Sequence, residues 1–150
     1  MSIGEFCNRE VTVLPRDASI REAVRLMREK HVGDVIIVDD EHGQRRPAGI
    51  LTDRDVVIEL VAKDVDLDAI TVADAMSDAV VTVRESEELD DTIDRMRVHG
   101  VRRMPVVDDD GALVGIVTLD NLIDVLTNHL SSLVLLTKRE RTREARTRTP

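Results

Sequence analysis

The chain is written twice from one pattern, and that duplication limits the folds open to it more than any other feature. Gly49-Ile50-Leu51-Thr52-Asp53-Arg54-Asp55 returns as Gly115-Ile116-Val117-Thr118-Leu119-Asp120-Asn121. Units of this kind bury their apolar faces on their neighbours, so the two copies are expected to pack as a pair. A shift of 69 positions lays Ile3 to Asp40 on Val72 to Asp109 without gaps. Ser2-Ile3-Gly4-Glu5 then falls on Thr71-Val72-Ala73-Asp74, two hydroxyl-x-x-acid helix starts. Ile20, Ala23, Val24 and Met27 fall on Leu89, Thr92, Ile93 and Met96, the spacing of a helix with one buried face. Val35-Ile36-Ile37-Val38 falls on Met104-Pro105-Val106-Val107, and both read as short buried strands. The acids that follow, Asp39-Asp40 and Asp108-Asp109-Asp110, read as turns. The register then shifts, because the loop Glu41 to Pro47 carries three more residues than its counterpart. Loops absorb such insertions at small cost.

Each unit therefore reads as strand, helix, strand, strand, helix, an α/β (α+β) arrangement with residues 2–70 in the first repeat and 71–127 in the second. The second helix of the first unit is expected over Arg54 to Lys63, with Val56, Val57, Leu60 and Val61 apolar. Asp64-Val65-Asp66-Leu67-Asp68 makes an acidic link. The last helix starts near Asp120 and runs past the repeat through Leu122, Ile123, Leu126, Leu130, Leu133 and Val134. That extension, within residues 128–150, has no counterpart in the first copy; its apolar stripe lies either on its own domain or on another chain. From Lys138 to Pro150 six basic residues against two acids give +4, which leaves −13 on the remainder of a chain whose net charge is −9. Alternating Arg and Thr with no apolar face predict a frayed or disordered end, either solubilising or touching an acidic surface.

Both Gly-led signatures place a capping Thr at a strand-to-helix junction and a short polar residue one turn in. A helix start offers unpaired N–H groups and partial positive charge, and a carboxylate there can accept from two vicinal hydroxyls; a plain capped junction has the same appearance. The acidic balance argues against a duplex nucleic-acid partner, and with one Phe and no Trp or Tyr there is no platform for stacked bases. No apolar run approaches 18 residues, Met1-Ser2-Ile3-Gly4-Glu5 lacks the regions of a signal peptide, and a single Cys excludes a disulfide framework. A cytoplasmic protein is expected. His31, His42, His99 and His129 stand singly, Cys7 aligns with Met76 as a core residue, and no Gly-rich phosphate loop occurs. No catalytic or metal-binding constellation is present, and binding is expected in place of turnover.

The paired Gly-hydrophobic-x-Thr-x-x-Asp signatures, with Met104-Pro105-Val106-Val107-Asp108 and Thr82-Val83, resemble the tandem cystathionine-β-synthase (CBS) domain family over about residues 2 to 127. The resemblance implies two β-α-β-β-α units packed about a pseudo-twofold axis and two clefts for an adenosine-containing ligand such as AMP, ADP, ATP, NAD or S-adenosylmethionine. It also implies association of modules, hence a homodimer, and an unknown protein effector. On the matching positions, Asp55 is the ribose-binding acid and Thr52 the adjacent phosphate-reaching hydroxyl. Arg54 stands where a charge-assisted phosphate contact is open to it, or where it is simply solvated. Val35 and Ile36, with Met104 and Pro105, match positions lining the adenine slot. Arg102 and Arg103 precede that second strand and either face the phosphates or offset nearby acids. In the second copy Thr118 keeps the hydroxyl, but Asn121 replaces the Asp and Asp120 points about 100° away. The first copy departs at Val13, where the second has Thr82. Unequal clefts are therefore expected, the Asp55 cleft competent and the Asn121 cleft weakened or empty.

Overall fold

The computed structural model describes residues 1–148. Ser2 opens a short 3-10 turn, Ile3–Glu5, through a reciprocal cap with Glu5, and β1 follows at Val13–Pro15. Ser19 caps α1, Ile20–Lys30, which buries Ile20, Ala23 and Met27; His31 ends it in the left-handed region at φ 55°. Strands β2, Asp34–Glu41, and β3, Gln44–Thr52, form a hairpin, and Thr52 caps α2, Asp53–Asp55. The second repeat supplies α3, Val72–Ala75, β4, Val83–Arg84, and α4, Leu89–His99. Strands β5, Arg103–Val107, and β6, Leu113–Thr118, lead into α5, Leu119–Thr147. Two three-stranded sheets result, β1-β2-β3 and β4-β5-β6. In each, the first strand runs parallel to the second after the helical crossover, and the third pairs antiparallel.

The pleat sorts the strand residues. Val35 and Ile37 enter the first core with Leu14, Ala23, Leu51 and Leu60, while Met104 and Val106 enter the second with Val83, Met96, Val117 and Leu122. Ile36 and Pro105, which alternate with them, are buried outside these clusters, and β3 and β6 lie against one another.

The opening segments of the two repeats are exchanged. Ile3 and Cys7 belong to the second core, whereas Val72 belongs to the first. The backbone repeats this exchange symmetrically: Ile3 N–H donates to Glu87 O at 2.9 Å and Val72 N–H to Ala18 O at 2.8 Å. Asn8 pairs with Ile116 on β6, and Ser77 pairs with Ile50 on β3. Each core thus takes its opening segment from the other sequence repeat. Both 69-offset helix starts form, but each caps a segment serving the other repeat's core.

Three local expectations are corrected. The extra residues expected to lengthen a loop instead lengthen the hairpin, so that Asp39 pairs with Arg46, Asp40 with Arg45 and Glu41 with Gln44. His42 and Gly43, both at positive φ, close it in two residues, the tightest hairpin connection. Asp39 and Asp40 are therefore strand residues: Arg16 reaches Asp39 through two hydrogen bonds of 2.6 and 2.8 Å, holding its carboxyl below the usual range, while Asp40 Oδ1 accepts from Gly43 N–H in the closing turn at 2.9 Å. Asp108 does stand in a turn, its Oδ1 accepting from Asp110 and Ala112 N–H groups. Secondly, the helix expected over Arg54 to Lys63 widens after α2 into a π-helical stretch, Val56–Val61, in which Ala62 N–H reaches Val57 O. Four β-branched residues, Val56, Val57, Ile58 and Val61, crowd an ordinary helical turn. Thirdly, the end expected to fray from Lys138 is helical through Thr147, because Lys, Arg, Glu and Ala are strong helix formers and no Gly or Pro interrupts them. Thr149 and Pro150, the end of that expected tail, lie outside the described residues.

Candidate functional site

At the first junction Thr52 N–H donates to Asp55 Oδ2 at 3.0 Å, and Asp55 N–H donates to Thr52 Oγ1 at 3.1 Å. This reciprocal cap satisfies two orphan donors of the helix start. It engages only Oδ2 of the carboxylate; Oδ1 accepts no hydrogen bond among the described residues. Arg54 is exposed, and its backbone N–H donates to Asp53 Oδ1 at 2.8 Å.

At the second junction the same oxygen of Asn121 accepts twice, from Thr118 N–H at 3.0 Å and from Thr118 Oγ1 at 2.9 Å. Asn121 thereby replaces Asp55 as a cap without loss. What it leaves over differs in kind: an amide nitrogen, a donor only, where Asp55 leaves an acceptor. The assignment of its oxygen follows from these partners.

Between the repeats lies a polar cavity of about 280 Å³, lined by Val32, Gly33, Asp34, Arg102, Arg103, Thr118, Leu119 and Asp120. Its floor is held by backbone bonds that fix each junction beside the strand entering its sheet: Asp53 N–H to Gly33 O at 3.0 Å, and Leu119 N–H to Arg102 O at 2.8 Å. Arg103 Nη1 donates to Asp34 Oδ2 at 2.6 Å across the two repeats. These two residues are 69 positions apart, so they occupy equivalent places in the two copies and meet at the pseudo-twofold axis. Burial pushes the Asp34 carboxyl above the usual carboxylate range, with Asp53 adding to the rise, although Arg103 opposes it. Arg102 is exposed beside the pair, and the N-terminus of the 29-residue α5 opens onto the same space. Two guanidinium groups and a helix start attract anionic oxygens here, opposed by Asp34 and Asp120, which line the same space.

Of the residues singled out in the sequence, Arg102, Arg103 and Thr118 converge on this cavity. Asp120, read as pointing away, lines it, while Asn121 turns back to cap. Thr52, Arg54 and Asp55 form the separate junction on the first repeat and are not part of its lining. Val35, Ile36 and Met104 are fully enclosed and Pro105 is buried. Asp34 was missed. The signal for it was in the repeat itself, since the 69-position shift lays an acid on a base at a place near the axis. Cys7 is buried and its thiol is pushed up by burial, the opposite of an activated nucleophile. Among the described residues no group of three or more His, Cys, Asp or Glu side chains is placed to hold a metal, and no helix is long and apolar enough to cross a membrane.

A family model for the CBS domain matches residues 3–62 and 72–128. An uncharacterised protein of Methanopyrus kandleri is 38% identical over 126 residues, covering 83% of this chain and 62% of that protein, so the chain spans under two thirds of that relative's length. Among solved structures, the CBS domain protein PAE2072 from Pyrobaculum aerophilum, complexed with AMP, superposes with a TM-score of 0.73 at 26% identity, covering 81% of this chain and 89% of that one. The CBS domain pair of protein MJ0100, in complex with 5′-methylthioadenosine and S-adenosyl-L-methionine, gives 0.74 at 26% identity, covering 86% and 98%.

Proposed function

The chain belongs to the CBS domain family, and from that premise we propose that it is a ligand-sensing regulatory module. It binds an adenosine-containing nucleotide between its repeats and relays occupancy to a protein effector or to a second copy of itself. The observation that carries this reading is the capped first junction, where Asp55 keeps one carboxylate oxygen free while its other oxygen fixes the side chain. A ribose presents two vicinal hydroxyls to such an acceptor. Thr52 and Arg54 stand within the same turn for a phosphate, as Arg102 and Arg103 do in the cavity between the repeats. Two similar structures hold adenosine derivatives, which supports the ligand class without choosing a member. The remaining amide donors of Asn121 suit a ribose less well, which supports unequal clefts.

Calorimetry with AMP, ADP, ATP, NAD and S-adenosylmethionine tests the proposal, since the chain has no Trp or Tyr to report binding. Asp55→Ala should weaken binding by about 1.5–3 kcal/mol, some ten- to hundredfold, with the fold retained. Asn121→Asp should strengthen or add a second binding event, most cleanly with adenosine, whose lack of phosphates removes repulsion from the acidic body. If Asp55→Ala binds like the parent, the ribose assignment fails. If the parent binds none of the series, a second reading takes precedence, that of a ligand-free dimerisation and interaction scaffold. The exposed apolar residues Val57, Ile58 and Val61 on the first repeat, with Ile123 and Leu126 on the second, favour that alternative.

A further inference from the structure

From Leu126 to Arg148 every residue of α5 is exposed. Leu133, Val134, Leu135 and Leu136 stand in succession there and so face every side of one helical turn, where no single neighbour covers them all. Leu135 is 60% exposed and Leu136 63%. At about 100° per residue, Leu135 lies about 140° around the helix from Leu130 and about 160° from Leu133. The same rotation sorts the charges of this half. Lys138, Arg139, Arg143 and Arg146 all fall within about 80° of Leu135, with Leu136 at the margin, whereas Glu140 and Glu144 stand about 140° and 180° away. The surface hollows of this half lie on that face: one is lined by Leu135, Lys138, Arg139, Arg143 and Arg146, the next by Ser132, Leu135, Leu136 and Arg139. Leucines and cations thus share one side of the helix, and the acids lie behind.

Charge and hydrocarbon together select the occupant. Guanidinium groups take phosphate oxygens through paired hydrogen bonds, and the two leucines beside them gain only from an apolar partner. A nucleic-acid duplex offers phosphates and leaves the leucines wet. An anionic phospholipid surface meets both, with headgroups for the cations and the acyl boundary for the leucines. The acidic body does not forbid the approach. Leu126 is the last residue of α5 to line the groove against α4, and Lys138 to Arg146 stand roughly 18–30 Å beyond it, against a screening length of about 8 Å at physiological ionic strength. Contact is with the surface of a bilayer, since no helix among the described residues is long and apolar enough to cross one. We propose that the distal half of α5 is a docking surface for anionic phospholipid, with Leu135 and Leu136 at the acyl boundary and Lys138, Arg139, Arg143 and Arg146 on the headgroups. The proposal is independent of the nucleotide reading, whose junction residues Thr52, Arg54 and Asp55 lie on the first repeat.

Co-sedimentation of the full chain with vesicles tests this, using phosphatidylcholine alone and phosphatidylcholine with about a third phosphatidylserine. The parent should pellet with the anionic vesicles, stay free of the neutral ones, and be released as salt rises. Arg139→Glu with Arg143→Glu should weaken vesicle binding at least about 25-fold, since each cation at an anionic surface contributes about fivefold. Leu135→Ala with Leu136→Ala should weaken it about tenfold through lost apolar burial. Glu140→Gln, on the side turned away, should change it by less than about twofold. All of these replacements keep good helix formers on an exposed face, and circular dichroism checks that the helix survives them. A parent that ignores anionic vesicles, or undiminished binding after the double charge reversal, would overturn the proposal. So would undiminished binding after loss of the two leucines, which would reduce the face to a general polyanion site, or retention on duplex DNA at a salt concentration where vesicles are not bound.

Discussion

Among the described residues, Asp34 and Arg103 are the one ion pair that joins equivalent positions of the two repeats, with side chains 16% and 31% exposed. On the proposed nucleotide reading, Asp34, paired with Arg103 in the cavity, competes with a ligand phosphate for that guanidinium. Burial raises its carboxyl in spite of the arginine, so the pair does not repay the cost of enclosing the charge. Asp34→Asn is therefore expected to leave stability within about 1 kcal/mol while strengthening AMP and ATP by several-fold. Adenosine, which carries no phosphate, should bind unchanged. Calorimetry of the three ligands on both proteins decides it, and an equal gain for adenosine would show that Asp34 shapes the cleft instead of masking a base. The pH dependence has a definite sign. A carboxyl raised on folding contributes stability that is present below its ordinary value of 3.8 and is lost as the pH climbs through the higher folded value. The variant should therefore lose less stability than the parent over that window in denaturation followed by circular dichroism.

At the scale of elements, the two Gly-led strands need glycine for contact. A Cβ on Gly49 would stand 2.2 Å from Met76 Sδ, and one on Gly115 would stand 2.8 Å from Cys7 Sγ and 3.0 Å from Asn8 O. Both positions are crossed by the segment exchanged from the other repeat. Gly49→Ala should cost about 1–3 kcal/mol by overpacking, and most of that cost should vanish in a Met76→Ala background, because the obstruction is wholly side chain. Gly115→Ala should be relieved less by Cys7→Ala, since the Asn8 carbonyl is backbone already bonded to Ile116 N–H at 2.9 Å. Equal relief in both denaturation cycles would contradict this difference. The sequence made these elements legible wherever one period governed them: the buried face of α1, the strands at Val35 and Met104, and the hydroxyl caps Ser2, Thr52, Thr71 and Thr118. It misled where two demands competed. Asp39 and Asp40 look like turn residues until Arg16 reaches Asp39 from the turn after β1 and β3 pairs alongside them, and β-branched residues hid a π-helical stretch inside an ordinary amphipathic pattern.

At the scale of the whole molecule, repetition in the sequence foretold two units and the family resemblance implied a pseudo-twofold axis, but the exchange of opening segments was not legible. Whether Ile3 packs on its own repeat or on the other depends on the path of the chain through residues 8–12, and local periodicity carries no record of that path. The cavity was hidden for the same reason, since Asp34 and Arg103 meet only after the repeats are folded onto each other. The exchange makes a crossed prediction. Ile3 is fully buried among Val83, Met104 and Val117, so Ile3→Ala should cost about 2–5 kcal/mol and loosen the second core, although residue 3 begins the first repeat. Val72 is fully buried among Ile20, Val35 and Leu51, so Val72→Ala should cost less, having fewer atoms to lose, and loosen the first. Amide hydrogen exchange reads the two separately, because each core has its own sheet and can open below the global unfolding energy. Ile3→Ala should speed exchange at Met104, Val106 and Val117 more than at Val35, Ile37 and Leu51, and Val72→Ala should do the reverse. Loss of protection within the mutated residue's own sequence repeat would mean that the opening segments pack at home. Equal loss in both sheets would mean that the two cores open only as one cooperative unit.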